Sequence, residues 1–421
     1  MVTDLSPQPF DRFLKSVASA TYEEVRQLPG AAVESAPAFE EMKAHVMDLY
    51  KGVSVAESFV ETDGQVIDCI LEDTHPVVRR WGGPAIAPAE GPPEIPEPDE
   101  PTSPDPRSRD VVRPGLHNPV TTRTYPAGTM PLYRTTLSTL CRFPNLAALS
   151  AKDKPVGLAA PAAVEPLATE PTQQARYATG EQDINCLGGS SKLNVWSPYA
   201  AGAQRAFSQQ WYAGIRGDGL LQTVECGWTV DLARYPNTSP HFFVFATRQN
   251  YITADNVYNL QNQVFRLVAN PYVIPGAPLQ FSQPGGTQVE YKMGLYLTNS
   301  AWWLYFDDHP IGYFPVSWFN NGPLTTQATR AKFGGEVSTG ISTWPPMGSG
   351  QHAAAGFGQA AYQRAAAVNP VSGGAVYATL ADAGSVHGRC YSLQITNNTA
   401  SDWGTYLFFG GPGNDPGGAP C

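Results

Sequence analysis

The sequence is short of charge. Only 15% of its 421 residues are charged, and the 27 Lys and Arg are outnumbered by 37 Asp and Glu, for a formal net charge of −10. No basic run is present to neutralise phosphates, which excludes nucleic acid and an anionic membrane as partners. No apolar run approaches the 18 residues of a membrane span, and the opening "MVTDLSPQPF" has no signal-peptide core. CxxC, the His/Cys spacing of a zinc site, HExxH and the G-x-S-x-G elbow are all missing. Neither a metal nor a cofactor is therefore expected.

What is abundant is turn and ring. Forty glycines, 39 prolines and 11% aromatic residues suit a turn-rich β protein better than a helical one. At this length two or three folded units are expected. The six cysteines, Cys69, Cys141, Cys186, Cys226, Cys390 and Cys421, form an even, scattered set that fits an oxidising compartment. A secreted protein whose signal has been removed is the expectation. A Cys390–Cys421 bridge would close a loop of about 30 residues and stabilise by about 3 to 4 kcal/mol.

Three regions follow one another. In residues 1–81, Phe10, Phe13, Leu14 and Val17, then Phe39, Met42, Val46 and Leu49, fall at helical spacing, and "SFVETDGQVIDCIL" reads as two strands about an Asp63-Gly64 turn. This is a small α+β unit. Residues 82–175 are rich in proline, with "GGPAIAPAEGPPEIPEPDEPTSPDPRSRD" too poor in apolar side chains to fold, and read as an extended linker holding a short ordered piece near 124–143. From 176 to 421, short strand-like runs recur between turn signals with almost no helical period, which predicts one large antiparallel β-sandwich.

Two strands of that region carry an isolated acid. In "LLQTVECGWTVDL", Val224, Cys226, Trp228 and Val230 take one face, leaving Glu225 on the other; in "RAKFGGEVST", Glu336 likewise shares the more polar face with Lys332 and Ser338. A curved sheet can bring both acids to one groove, where neighbouring carboxylates split their proton affinities into a base and an acid. On these residues alone, solvated surface glutamates remain the plainer reading. Trp228 falls opposite Glu225 and so belongs to the core.

"VECGWTV", "FGGEV", "NVWSP", "GYFPVSWF", "MGSGQHAAAGFGQAAYQR" and "WGTYLFFGGPG" resemble, in order, the signature blocks of the neprosin family of glutamic prolyl endopeptidases, and "DGQVIDCI" and "YPAGTMPLYR" resemble its activation peptide. The resemblance implies Glu225 and Glu336 as the catalytic pair and Gln209 as part of a Gln-x-Trp pattern before the first glutamate. It also implies proline-containing peptides as substrate, activity in acid, and an N-terminal pro-domain acting as an intramolecular inhibitor until removed. Trp211, Trp303 and Tyr313 are candidates for holding the proline ring, which is rigid and offers no N–H. The chain departs from plant members in its cysteines: no pair follows "FVFATRQNY", and Tyr125 stands where a cysteine is usual. Cys69 is then expected to pair with Cys141, and Cys186 with Cys226. A monomer is expected. Two rival classes share these residues: a glycoside hydrolase using both carboxylates, and a non-catalytic binding module. Asn237 and Asn397 begin glycosylation sequons that matter only in a eukaryotic host.

Overall fold

Helical period and turn chemistry account for the N-terminal part of the computed structural model, which describes residues 7–81, 94–99, 103–114, 125–152, 174–268, 271–384 and 388–414. Helix α1 (Phe10–Ser19) buries Phe13 and Val17. Helix α2 (Tyr22–Val25) opens with a capping box between Thr21 and Glu24. Helix α3 (Ala36–Leu49) begins after Ser35, whose hydroxyl accepts from the Ala38 N–H at 3.2 Å, and its Phe39, Met42 and Val46 face inward. Strands β1 (Val55–Val60) and β2 (Val66–Leu71) pair antiparallel. Their turn holds three residues between the bonded Glu61 and Gln65, one more than the Asp63-Gly64 dipeptide suggests, with Gly64 at φ +90°.

Helix α4 (Pro76–Trp81) follows, then β3 (Val111–Val112), β4 (Thr129–Tyr133) and α5 (Leu137–Leu140). Strand β4 joins β2, so a piece of chain far along the sequence completes a three-stranded sheet in the order β1-β2-β4.

The rest is β. It runs β5 (Gln174–Asn194), β6 (Gln204–Ile215), β7 (Leu221–Asp231), β8 (His241–Thr247), β9 (Asn256–Tyr258), β10 (Arg266–Leu267), β11 (Gln288–Thr298), β12 (Ala301–Phe306), β13 (His309–Pro315), β14 (Ala328–Thr339), β15 (Ala361–Pro370), β16 (Val376–Tyr377), β17 (Ala381–Asp382), β18 (Ser392–Thr396) and β19 (Tyr406–Gly410). Among the described residues these and β3 form a curled sheet of 16 strands, antiparallel except for β3, with the path β10-β13-β12-β11-β5-β14-β6-β7-β8-β9. The 21-residue β5 belongs to both wings: residues 174–183 pair with β14, and residues 188–194 with β11. The wings fold face to face across it. Gln210 on β6 donates to the Met293 carbonyl on β11 at 2.8 Å, and the Trp228 indole donates to the Asn194 carbonyl at 3.0 Å. Trp228, Val224 and Cys226 are wholly buried on this inter-wing side, as alternation requires.

The stretch read as an extended linker is in part a strap. Val111 and Val112 add in parallel to Gln288 and Val289, Arg113 pairs with Glu290 at 2.9 Å, and the Arg107 guanidinium lies 3.6 Å above the Trp403 ring. Asp402 accepts from the Asp105 N–H and the Ser108 hydroxyl, both at 2.6 Å. Charge and hydrogen bonding dock this segment; the reading from composition counted only apolar burial. Most of the second Ala/Pro-rich stretch, residues 153–173, lies outside the described residues.

Two cysteine expectations are corrected. Cys69, Cys141, Cys186 and Cys226 are free, buried thiols. Cys141 points its sulfur at Met42, 3.7 Å away, instead of at Cys69. Cys186 on β5 and Cys226 on β7 are kept apart by β14 and β6, so their Cα atoms cannot come within the ~7 Å a bridge needs. Cys421 lies outside the described residues, and its expected pairing with Cys390 falls there with it.

Candidate active site

Register decides what meets what. Strand β6 lies between β14 and β7, and it sets Phe207 opposite Glu336, Gln209 opposite both Gly334 and Gly227, and Trp211 opposite Glu225. These residues are spaced by two along their strands, so all project from the same face of the sheet. Glu336, Gln209 and Glu225 therefore run diagonally across three strands. The glycines are required where neighbouring strand backbones approach too closely for a side chain. A Cβ at Gly227 would lie 2.0 Å from the Ser208 carbonyl, and Gly334, at φ +140°, would bring one within 2.3 Å of the Ala178 carbonyl.

The face is not solvated, as a lone strand acid suggests; both glutamates are fully buried. Phe207, Trp211 and Phe245 wall the site, and the chain ahead of β5 closes it with Lys152, whose nitrogen is 5.0, 5.8 and 5.6 Å from those three ring centres. That nitrogen lies 2.9 Å from Glu225 Oε2 and 2.8 Å from Glu336 Oε2. The two carboxylate oxygens are thus no farther apart than the sum of those distances, a gap one water spans. Burial alone would push the Lys152 ammonium down, but the charges of Glu225 and Glu336 outweigh it and its net shift is upward.

Each acid has its own support. Glu225 Oε1 accepts from the Thr223 hydroxyl at 2.7 Å and from the Tyr251 hydroxyl, while Glu336 Oε2 accepts from the Gln209 side-chain amide. Burial, followed by the Glu225 charge, drives the Tyr251 phenol well above its ordinary range, so Tyr251 stays a donor. Gln363 fixes the floor by donating to the carbonyls of Gln209 and Gly334 at 3.0 and 3.2 Å. Among the described residues, Gln209 Oε1 and Trp211 Nε1 are buried without a hydrogen-bond partner.

Of the residues singled out in the sequence, Glu225, Glu336, Gln209 and Trp211 come together. Trp303 and Tyr313 do not: their rings pack at a tilt, centres 4.8 Å apart, in a separate aromatic cluster on β11, β12 and β13, in the other wing. Nothing local in the sequence says which wing they belong to. Lys152, Tyr251 and Thr223 were missed. Tyr251 sits at φ +61° beside Asn250 at φ +55°, a tight left-handed turn after β8 that no periodicity announces.

The Neprosin family profile matches residues 202–412, half of the chain and every element just described except Lys152 and β5. The chain belongs to the Neprosin family. With that membership it is a glutamic-type peptidase. Among solved structures, scytalido-glutamic peptidase with a transition state analog inhibitor is 7% identical, covering 56% of this chain and 98% of its own at a TM-score of 0.32. The same peptidase with a peptide-based transition state analog is 8% identical, covering 57% and 99% at 0.28. A β-fructofuranosidase from Schwanniomyces occidentalis complexed with fructosyl-erythritol is 6% identical, covering 40% and 32% at 0.18. These overlaps are too slight to carry any residue across. The Neprosin assignment rests on the profile match.

Proposed function

We propose that the protein is a secreted endopeptidase that hydrolyses the bond after proline in acid, made as a zymogen and activated by acid-triggered removal of its N-terminal segment. The observation that carries this reading is the convergence of Glu225 and Glu336 on one nitrogen, at 2.9 and 2.8 Å, at the bottom of a walled cleft. With Lys152 gone, a water takes the place of that nitrogen. One glutamate removes a proton from the water as its oxygen attacks the scissile carbonyl. The other protonates the departing amide nitrogen. The two carboxylates meet on one nitrogen, so the base and acid roles belong to the dyad. The Gln209 amide, which donates to Glu336, supplies a donor for the oxyanion in this reading.

Proline preference is supported by the rings of Phe207, Trp211 and Phe245, which now surround the lysine stem and would surround a pyrrolidine ring without asking it for an N–H. Zymogen character is supported by the position of Lys152 itself. Incubating the full chain from pH 2 to 7 with a proline-containing peptide, and weighing both by mass spectrometry, tests the whole reading: chain shortening and cleavage after proline should appear together in acid. Cleavage at full rate near neutrality by an unshortened chain would contradict it.

A further inference from the structure

The segment that fills the cleft is held as a ligand would be. The Leu149 carbonyl accepts from Arg234 at 2.5 Å, the Ser150 carbonyl from Asn256 at 3.0 Å, and the Ala151 carbonyl from Arg234 and Arg205 at 3.3 and 3.4 Å. Asp231 pins both arginines, at 3.1 and 3.0 Å. Three successive carbonyls are thus gripped by side chains of the β unit, and the fourth residue sends its ammonium between the two glutamates. None of these donors belongs to the departing segment. They remain in place once it leaves.

We infer that the cleft of the processed protein is a binding site for a peptide carrying a primary alkylammonium, that residues 149–152 are its built-in ligand, and that lysine peptides lacking proline are reversible inhibitors. This rests on the peptidase reading in taking Glu225 and Glu336 as the working pair. The recognition is charge-specific. The aromatic wall favours a cation over its rings, the carboxylates accept from it, and the arginines set the distance from the gripped carbonyls to the dyad.

The groups facing the Lys152 nitrogen are Glu225 and Thr223 on β7, Glu336 on β14 with Lys332 on the same strand face, and Tyr251 in the loop after β8. Arg205, Asp231 and Arg234 lie behind the preceding carbonyls. Lys152, Arg205, Arg234 and Lys332 are cations that acid does not discharge. With both carboxylates ionised, the two glutamates offer the ammonium its counter-charge among these fixed cations. The enzyme is then blocked by its own lysine for as long as the segment stays in place.

Two measurements test this. The first uses the acid-processed enzyme and the amidated peptide of residues 146–152, Leu-Ala-Ala-Leu-Ser-Ala-Lys. It should inhibit cleavage of a proline peptide at least a hundredfold better than its norleucine analogue. Equal inhibition by the analogue, or none by either, overturns the inference. The second needs no activity. In the full chain at pH 7, Lys152→Met should lower the melting temperature, and should not lower it in the Glu225→Gln/Glu336→Gln background. The same fall in both backgrounds overturns the inference. Coupling without any peptide cleavage would retain the ammonium site and overturn the peptidase reading instead.

Discussion

Gln209 donates its side-chain amide to Glu336 from the one strand that separates the two glutamates. Its other amide atom, Oε1, is buried with no partner among the described residues, and its backbone carbonyl is tied down by Gln363. The proposed mechanism gives this tethered amide a donor's role beside the dyad. Gln209→Ala should lower kcat by about a hundredfold, the usual cost of losing a preorganised donor, while the variant keeps a cooperative melt. Steady-state kinetics on a proline peptide, paired with circular dichroism, checks this. An unchanged kcat would assign Gln209 to packing.

Acid should act on the N-terminal unit through His75. This imidazole is fully buried between β2 and α4, and burial lowers its pKa to about 4. The unfolded chain takes up that proton near pH 6.5, earlier than the folded one, so stability is lost as pH falls from about 6.5 to about 4, by about 3 kcal/mol in all. His75→Gln cannot take the proton and removes this loss. Hydrogen exchange of α3 and β2 across pH 3 to 7 should show the unit opening at lower pH in the variant. An unchanged opening midpoint would place the acid trigger elsewhere.

The strap makes a sharper contrast. Glu290 is wholly buried, and accepts from Arg364 at 2.8 and 2.6 Å as well as from Arg113. Burial would raise its carboxyl; the guanidinium of Arg364, then that of Arg113, more than offset this and hold it below the usual range. That contribution is complete above about pH 4.3 and fades as pH falls through the lower folded value. Arg364→Met strands a buried charge and should cost about 3 to 5 kcal/mol. The Arg113 side chain is 43% exposed, so Arg113→Ala should cost under about 1 kcal/mol. Denaturant titrations at pH 7 compare them, and equal costs would contradict the burial argument.

How much of this was legible depended on range. Period-2 spacing placed Glu225 away from Trp228, and short turns every few residues announced a sandwich, because both are local facts of the strand. That Glu225 and Glu336 share a cleft depends on β6 entering between β7 and β14 in one register, which nothing local specifies. Lys152 was illegible for the same reason: it sits at the edge of an Ala/Pro-rich run with no periodicity, and only the fold beyond it gives it partners. Cysteine parity misled because Cys186 and Cys226 face the same core without coming within reach. The strap was missed because Arg107, Arg113 and Asp105 dock by charge, a term that apolar composition does not count.

The central claim is that Glu225 and Glu336 share one water and divide one proton-transfer task. Initial rates on a single proline peptide, measured in acid for the wild-type chain, Glu225→Gln and Glu336→Gln after each has been shortened to the same extent, test it most directly. Both variants should fall by at least about a thousandfold, and the double variant little further, because residues acting as a unit are lost together. A variant of either glutamate that retains a tenth of the wild-type rate would contradict the dyad.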